Sequence, residues 1–275
     1  MNIVLTGKPG IGKSSVVSNF IKGFDGTTIW MLTRELLDDN RQRAGFISST
    51  SASVERLISH KTDIKSDTII GSNHVDMVAV KEILDAIKHT AETSTADVVV
   101  LDEIGPIQLT EPAFLEEFDD LFNGKTNLLA SVHFDDERLT KYRQSPDAIN
   151  ITVTEDNRDT LPEILKFIFS NLKEYGALTA NTKRLANSLA QGYIEKGQWT
   201  QLNKLFTKGI DYYGDNRVSQ VSPTQWSVAG EHGTYVVNVS DNQYSCNCDL
   251  YLGLNQYANN PGECSHIQSV KLLRS

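Results

Sequence analysis

Gly7-Lys8-Pro9-Gly10-Ile11-Gly12-Lys13-Ser14 decides how the rest of this chain is read. Six residues, MNIVLT, precede it and have the apolar content of a short strand. SVVSNFIKGF follows, apolar at Val16, Val17, Phe20 and Ile21 and closed by Gly23, and reads as a helix. A glycine-rich turn of this spacing between strand and helix is a phosphate-binding loop. Gly7, Gly10 and Gly12 let the backbone fold tightly enough for successive N–H groups to face one anion. The helix N-terminus adds unpaired donors and the positive end of its dipole. Lys13 supplies a charge for the β- and γ-phosphates, and the Ser14 hydroxyl is a ligand for Mg²⁺. Lys8, Pro9, Ile11 and Ser15 complete the stretch expected to hold a nucleoside triphosphate such as ATP or GTP.

The 275 residues suffice for one large domain and a small one, and 39% hydrophobic with 22% charged residues is ordinary for a globular protein. No apolar run approaches the roughly 20 residues of a membrane helix. A strand beginning at residue 2 leaves no room for a signal peptide. The expectation is an intracellular, cytoplasmic protein with no membrane partner. The net charge of −9 is uneven: residues 1–169 hold 17 Lys and Arg against 27 Asp and Glu, residues 170–215 hold 6 against 4, and residues 216–275 hold 3 against 4. No segment is a basic slab, which argues against tight non-specific binding to duplex nucleic acid. All 3 Cys lie in the last 30 residues. An odd count in a reducing compartment points to a metal or a reactive thiol rather than a disulfide framework.

Along the chain, Thr27–Thr33 reads as a second strand and the polar run RELLDDNRQRAGF, with Arg34, Glu35, Arg41 and Arg43, as a solvated loop. Asp76 opens a helix with Met77, Val80, Leu84 and Ile87 on one face. DVVVLDEIG, Asp97 to Gly105, is a buried parallel strand ending in two acids. Beside a P-loop, Asp102 suits holding Mg²⁺ through its water shell, and Glu103 polarising an attacking water. Thr110 and Pro112 start a helix burying Phe114, Leu115, Phe118, Leu121 and Phe122. Asn127–His133 and Ile149–Val153 are further strands; His133 is either a sensor of hydrolysis at the sheet edge or a loop-anchoring residue. Thr160 and Glu163, with Pro162 between them, read as a capping box. Five strands alternating with helices predict an α/β domain with a parallel sheet.

Residues 1 to about 170 resemble the THEP-type nucleoside triphosphatases, a P-loop family related to the RecA-like ATPases. The resemblance rests on TGKPGIGKS, on the TRE…R-x-GF stretch from Thr33 to Phe46, on LDEIGPIQL and on the NRD segment Asn157–Asp159. It implies a three-layer αβα domain that hydrolyses NTP to NDP and phosphate with loose base selectivity. Ser14 stands where Thr is common in the family, and Pro106-Ile107-Gln108 where a basic residue and Met-Glu are frequent.

Residues 171–215 read as a helical spacer, with Leu185, Leu189 and Tyr193 spaced by four and a break near Gly197. Residues 216–275 change character: QWSV, TYVVNV and YSCNC are short alternating strands, with His232 in a turn. Cys246-x-Cys248, 15 intervening residues and Cys264-x-His266 supply three thiolates and one imidazole, the donor set of a closed tetrahedral Zn²⁺ site. Cys-x-Cys-x15-Cys-x-His after an aromatic-Ser-Cys strand resembles the SWIM zinc finger, which implies docking to nucleic acid or protein. Trp226, Tyr244, Tyr251 and Tyr257 are either exposed rings for stacking on single strands or the finger's own core. A nucleic-acid partner would take its cationic contacts from Lys183, Arg184, Lys204 and Lys208.

The combined expectation is an Mg²⁺-dependent NTPase with a zinc finger that docks single-stranded nucleic acid or a protein. The transition-state arginine comes from the 34–43 run or from Arg158. The rival readings are a nucleotide or polynucleotide kinase and a non-catalytic, nucleotide-gated adaptor.

Overall fold

Two compact units, residues Met1–Ser170 and Asn171–Ser275, make up the chain. The computed structural model describes residues 1–171, 173–257 and 263–274, with the side chains of 173, 174 and 254–257 excepted. In the first unit the strands are β1 (Asn2–Thr6), β2 (Thr28–Leu37), β3 (Arg43–Thr50), β4 (Glu55–His60), β5 (Ile69–Ile70), β6 (Asn73–Val75), β7 (Val98–Ile104), β8 (Asn127–Val132) and β9 (Ala148–Thr152). They form one sheet in the order β5-β6-β4-β3-β2-β7-β8-β1-β9. The helices are α1 (Lys13–Gly23), α2 (Met77–Thr93), α3 (Pro112–Asn123), α4 (Thr140–Arg143) and α5 (Leu161–Ser170).

The expected five strands β2, β7, β8, β1 and β9 pair in parallel. Alternation along them covers both faces of the sheet. Val4, Val99, Leu101, Leu128 and Ala130 share a core with Ile83, Phe114 and Phe118 of α2 and α3. Their neighbours Ile3, Leu5, Val98, Val100 and Leu129 point the other way and are equally buried. Apolar burial at roughly 25 cal/mol per Å² on both faces supplies most of what holds this unit. Asp76 caps α2 by accepting from Ala79 N at 3.0 Å.

Several expectations are corrected here. The polar run after Thr33 is not a loop. β2 continues through it to Leu37 and turns back as β3, and Arg43 meets Glu35 at 3.0 Å across the hairpin. Polar side chains obscure the strand because one face lines a cleft rather than a core. β3, β4, β6 and β5 then extend the sheet by antiparallel pairing, so the sheet is mixed. Thr110 lies in a 3-10 turn, and α3 starts at Pro112 with the Glu111 side chain as cap. Leu115 and Leu121 are only partly buried. No capping box forms at α5: the Thr160 hydroxyl donates to Asn157 O, and Glu163 takes the Lys166 ammonium at 2.6 Å.

The second unit begins with α6 (Lys173–Ala177), α7 (Ala180–Glu195), α8 (Trp199–Lys204) and α9 (Ile210–Gly214), the last two joined by a π-helical turn, Leu205–Gly209. The buried face of α7 is Ala186, Asn187, Ala190, Tyr193 and Ile194, with Leu185 and Leu189 at its margin. An antiparallel meander follows: β10 (Val218–Ser222), β11 (Gln225–Gly230), β12 (Gly233–Ser240) and β13 (Gln243–Cys246). α10 (Asp249–Tyr257) and α11 (Ser265–Leu273) complete it. The π-helical turn and α9 pack directly on α11. The expected boundary at 215/216 therefore falls inside one compact unit. Trp226 is buried with Val228, Val237, Val239, Ile267 and Val270, and Tyr244 and Tyr251 are half-buried against that core. The alternation of β11 turns Trp226 inward, which removes it as a stacking ring. The side chain of Tyr257 lies outside the described residues. His232 sits in the turn before β12.

Candidate nucleotide cleft and candidate metal centre

In the first unit, β1 delivers the chain to the loop and α1 carries it away. Gly7 has φ 141°, and a Cβ there would lie 2.8 Å from Val153 O, so close approach to the end of β9 demands glycine. Gly10 and Gly12 have φ of 77° and 109°. Lys13 is 7% exposed; its ammonium donates to Gly7 O at 3.0 Å and Lys8 O at 3.5 Å. It also stands 4.0 Å from Glu103 Oε1. Ser14 and Ser15 are exposed at the helix start.

Asp102 is fully buried near the end of β7. Its Oδ1 accepts from the Ser131 hydroxyl at 2.5 Å, and its Oδ2 is buried without a geometrically acceptable partner. Burial pushes its pKa up to about 6, while Ser131, Ser14 and Lys13 pull in the other direction. A buried carboxylate oxygen with spare lone pairs, close to a Ser hydroxyl at a P-loop, fits a hard divalent cation such as Mg²⁺.

A cleft of about 770 Å³ runs from the P-loop to the antiparallel extension. Pro9, Gly10, Gly12, Lys13, Ser14 and Ser15 line one wall, and Glu103 and His133 its floor. Gly7, Lys8, Ile11 and Asp102 are not among the lining residues. His133 Nδ1 lies 2.8 Å from Asp135 Oδ1. Arg34 and Arg43 line the cleft, Arg34 paired with Glu55 at 3.3 Å. Arg158 comes against the loop from the other side, its Cδ 3.5 Å from where a Gly12 Cβ would be. Pro106, Ile107 and Gln108 also line the cleft, and Gln108 Nε2 donates to Thr33 Oγ1 at 3.3 Å. The reading of the sequence missed Ser131, and it missed Phe46, Lys61 and Asn73 as cleft residues. No local signal in the sequence marked the wall, because the inside-outside alternation of β2 stops after Thr33.

In the second unit, the end of β13 brings Cys246, the turn before α10 brings Cys248, and the start of α11 brings Cys264 and His266. The ligand atoms of these four all lie within 4.8 Å of one another. His266 Nδ1 is 3.7 Å from Cys246 Sγ and 3.8 Å from Cys264 Sγ. Zn–S and Zn–N bonds of ordinary length at tetrahedral angles need separations of about 3.5–3.8 Å. The imidazole stacks against Tyr235, with centroids 4.2 Å apart, and against Tyr212 at 5.5 Å. Its Nε2 backs onto Gly230, where a Cβ would come within 2.8 Å, so Nδ1 is the nitrogen turned to the sulfurs. Cys246 and burial push the Cys264 thiol up to about 12. Three buried thiols gathered with an imidazole, the Cys248 and Cys264 thiolates disfavoured by burial and by the neighbouring thiols, fit a divalent metal that reverses the sign of the field.

The sequence profile of the family described as NTPase matches residues 2–166. The chain is 31% identical over 166 residues to the protein named nucleoside-triphosphatase THEP1 of Natranaerobius thermophilus, covering 60% of this chain and 93% of that one. It is 28% identical over 175 residues to the protein of the same name from Aquifex aeolicus, covering 59% and 96%. The crystal structure of THEP1 from Aquifex aeolicus superposes with a TM-score of 0.54 at 24% identity, over 60% of this chain and 96% of that one. Among the described residues no helix is long and apolar enough to cross a membrane.

Proposed function

Because the chain belongs to the NTPase family and hydrolyses nucleoside triphosphates, we propose that it does so with Mg²⁺ and that its second unit carries a SWIM-type zinc finger. The observation that carries the first part is Asp102, buried near Ser14 with one oxygen lacking a partner. Ser14 and Asp102 would hold Mg²⁺, which supplies charge neutralisation at the β- and γ-phosphates. The Lys13 ammonium exchanges the carbonyls of Gly7 and Lys8 for phosphate oxygens, a stronger, charge-assisted pairing. The backbone N–H groups of Gly10, Gly12, Lys13 and Ser14 cradle the same anion. Glu103, half-exposed on the cleft floor, orients the attacking water and accepts its proton. Charge developing on the transferred phosphoryl is met by an arginine from the cleft rim, Arg34 or Arg43, or by Arg158 beside the loop.

Cys246, Cys248, Cys264 and His266 would hold Zn²⁺ as a closed structural site that ties β13, α10 and α11 together. The finger, residues 216–275, rests on the helices of 171–215 and serves as a docking module. The burial of Trp226, the Lys208–Glu231 pair at 2.6 Å, and the exposure of Leu250 and Leu252 favour a protein partner over a single strand of nucleic acid.

Nucleotide affinity and phosphate release, measured on two variants, test the hydrolytic assignment. Lys13→Ala abolishes tight binding of the triphosphate. Glu103→Gln keeps binding and loses turnover by roughly 10²-fold. Parental turnover in Glu103→Gln would remove the water-orienting role.

A further inference from the structure

Strand order gives the two ends of the cleft different jobs. The P-loop leaves β1, and Glu103 stands on β7, two strands away toward the antiparallel extension. In-line displacement brings the nucleophile to the γ-phosphate opposite the leaving group. With Glu103 orienting that nucleophile, the attack side faces β7 and β2, and the leaving diphosphate points back toward β1 and β9. β4 is five strand positions from β1, about 24 Å at the usual inter-strand spacing. A triphosphate seated on the loop therefore extends away from the wall built by β2–β6 and leaves it uncovered.

That wall is equipped for a ligand of its own. Asn73 lines the cleft, is 8% exposed, and its Oδ1 finds no donor. An orphaned buried amide oxygen is costly until a ligand N–H meets it. Phe46 lines the same wall, half-buried, with the Arg43 guanidinium 5.4 Å from its ring centroid. Glu55 and Glu35 neutralise Arg34 and Arg43, whereas Lys61 has no carboxylate partner among the described residues. A ring, an acceptor awaiting an N–H, and an uncompensated ammonium match an aromatic base carrying a phosphate.

We propose that the β2–β6 wall is a second ligand subsite, for a nucleoside monophosphate, on the attack side of the triphosphate. Its direction rests on the hydrolytic reading above. Phe46 packs on the base, Asn73 Oδ1 accepts a base N–H, and Lys61 takes the phosphate. A monophosphate bound there crowds the path of the water that Glu103 orients.

The test uses the full chain and AMP as probe. AMP should lower kcat for phosphate release from ATP without raising KM. Lys61→Ala and Asn73→Ala should each weaken that inhibition about tenfold, the scale of one lost charged or buried polar contact, with uninhibited hydrolysis unchanged. Lys61 is exposed, so its variant keeps the test sound if Asn73→Ala folds poorly. Calorimetry should show AMP still binding to Lys13→Ala, in which the P-loop is disabled. A rise in KM, or loss of AMP binding in Lys13→Ala, puts AMP on the P-loop and overturns the subsite. Parental ATP hydrolysis with no AMP binding overturns the subsite alone. AMP binding to Lys13→Ala in a chain whose parent releases no phosphate overturns the hydrolytic reading instead.

Discussion

The two units place polar chemistry differently with respect to their cores. In the first, a nine-stranded sheet is covered on both faces, and Asp102 is one acid sunk into the edge of an interior that stands without it. In the second, Cys246, Cys248 and Cys264 are themselves part of the core, packed with Trp226, Val228, Val237 and Ile267. The same desolvation that raises Asp102 to about 6 helps raise Cys264 to about 12. On the proposed reading a cation would offset both, at the margin of one core and in the middle of the other, so its loss would disable the first unit and dismantle the second.

Removing the metal should give the largest effect. Elemental analysis is expected to find one zinc per chain, and Cys264→Ser to release it. A structural zinc site is worth on the order of 10 kcal/mol of folding free energy, more than a small unit holds in reserve. Limited proteolysis should then cut within residues 171–275 while the first unit resists. A metal-free protein with a protease-resistant C-terminus would collapse the contrast between the units.

Asp102→Asn is expected to act in the opposite direction on the first unit. Asp102 has a folded-state pKa of about 6 against an ordinary 3.8, so the folded state holds its proton longer than the unfolded chain. The associated stability is present below about pH 4, falls as pH rises to about 6, and stays lost above. The loss amounts to about 3 kcal/mol without nucleotide or Mg²⁺. The amide still accepts from Ser131 and carries no charge, so the first thermal transition should rise at pH 7.5 and converge with the parent near pH 4. The same variant should lose Mg²⁺-dependent phosphate release. An unchanged transition at pH 7.5 would mean that Asp102 is solvated in solution.

The smallest expected effects come from two helix caps, one in each unit. Asp76 accepts from Ala79 N at 3.0 Å, and Thr179 Oγ1 from Thr182 N at 3.3 Å. Asp76→Ala and Thr179→Ala should each cost about 1 kcal/mol. Followed by calorimetry on the zinc-loaded chain, each should move one transition and leave the other in place. Movement of both by either variant would mean that the units unfold together.

Local chemistry in the sequence determined the P-loop, the five parallel strands and which three cysteines and one histidine cluster. Gly7 to Ser14 is contiguous, Val98–Leu101 is an unbroken apolar run before its acids, and three cysteines with one histidine leave a single spacing to read. Tertiary structure decided the remainder. Arg34, Glu35 and Arg43 look like a solvated loop until cross-strand pairing makes them a sheet wall, because period-2 alternation fades where the inward face lines a cleft. Ser131 becomes a partner of Asp102 only because β8 lies beside β7. Phe46, Lys61 and Asn73 line one cleft because β3, β4 and β6 pair antiparallel side by side. Trp226 belongs to the core because the register of β11 turns it inward. Residue type and spacing report what short-range chemistry requires, whereas which side chains converge depends on strand order and register, set by the global packing of the sheet.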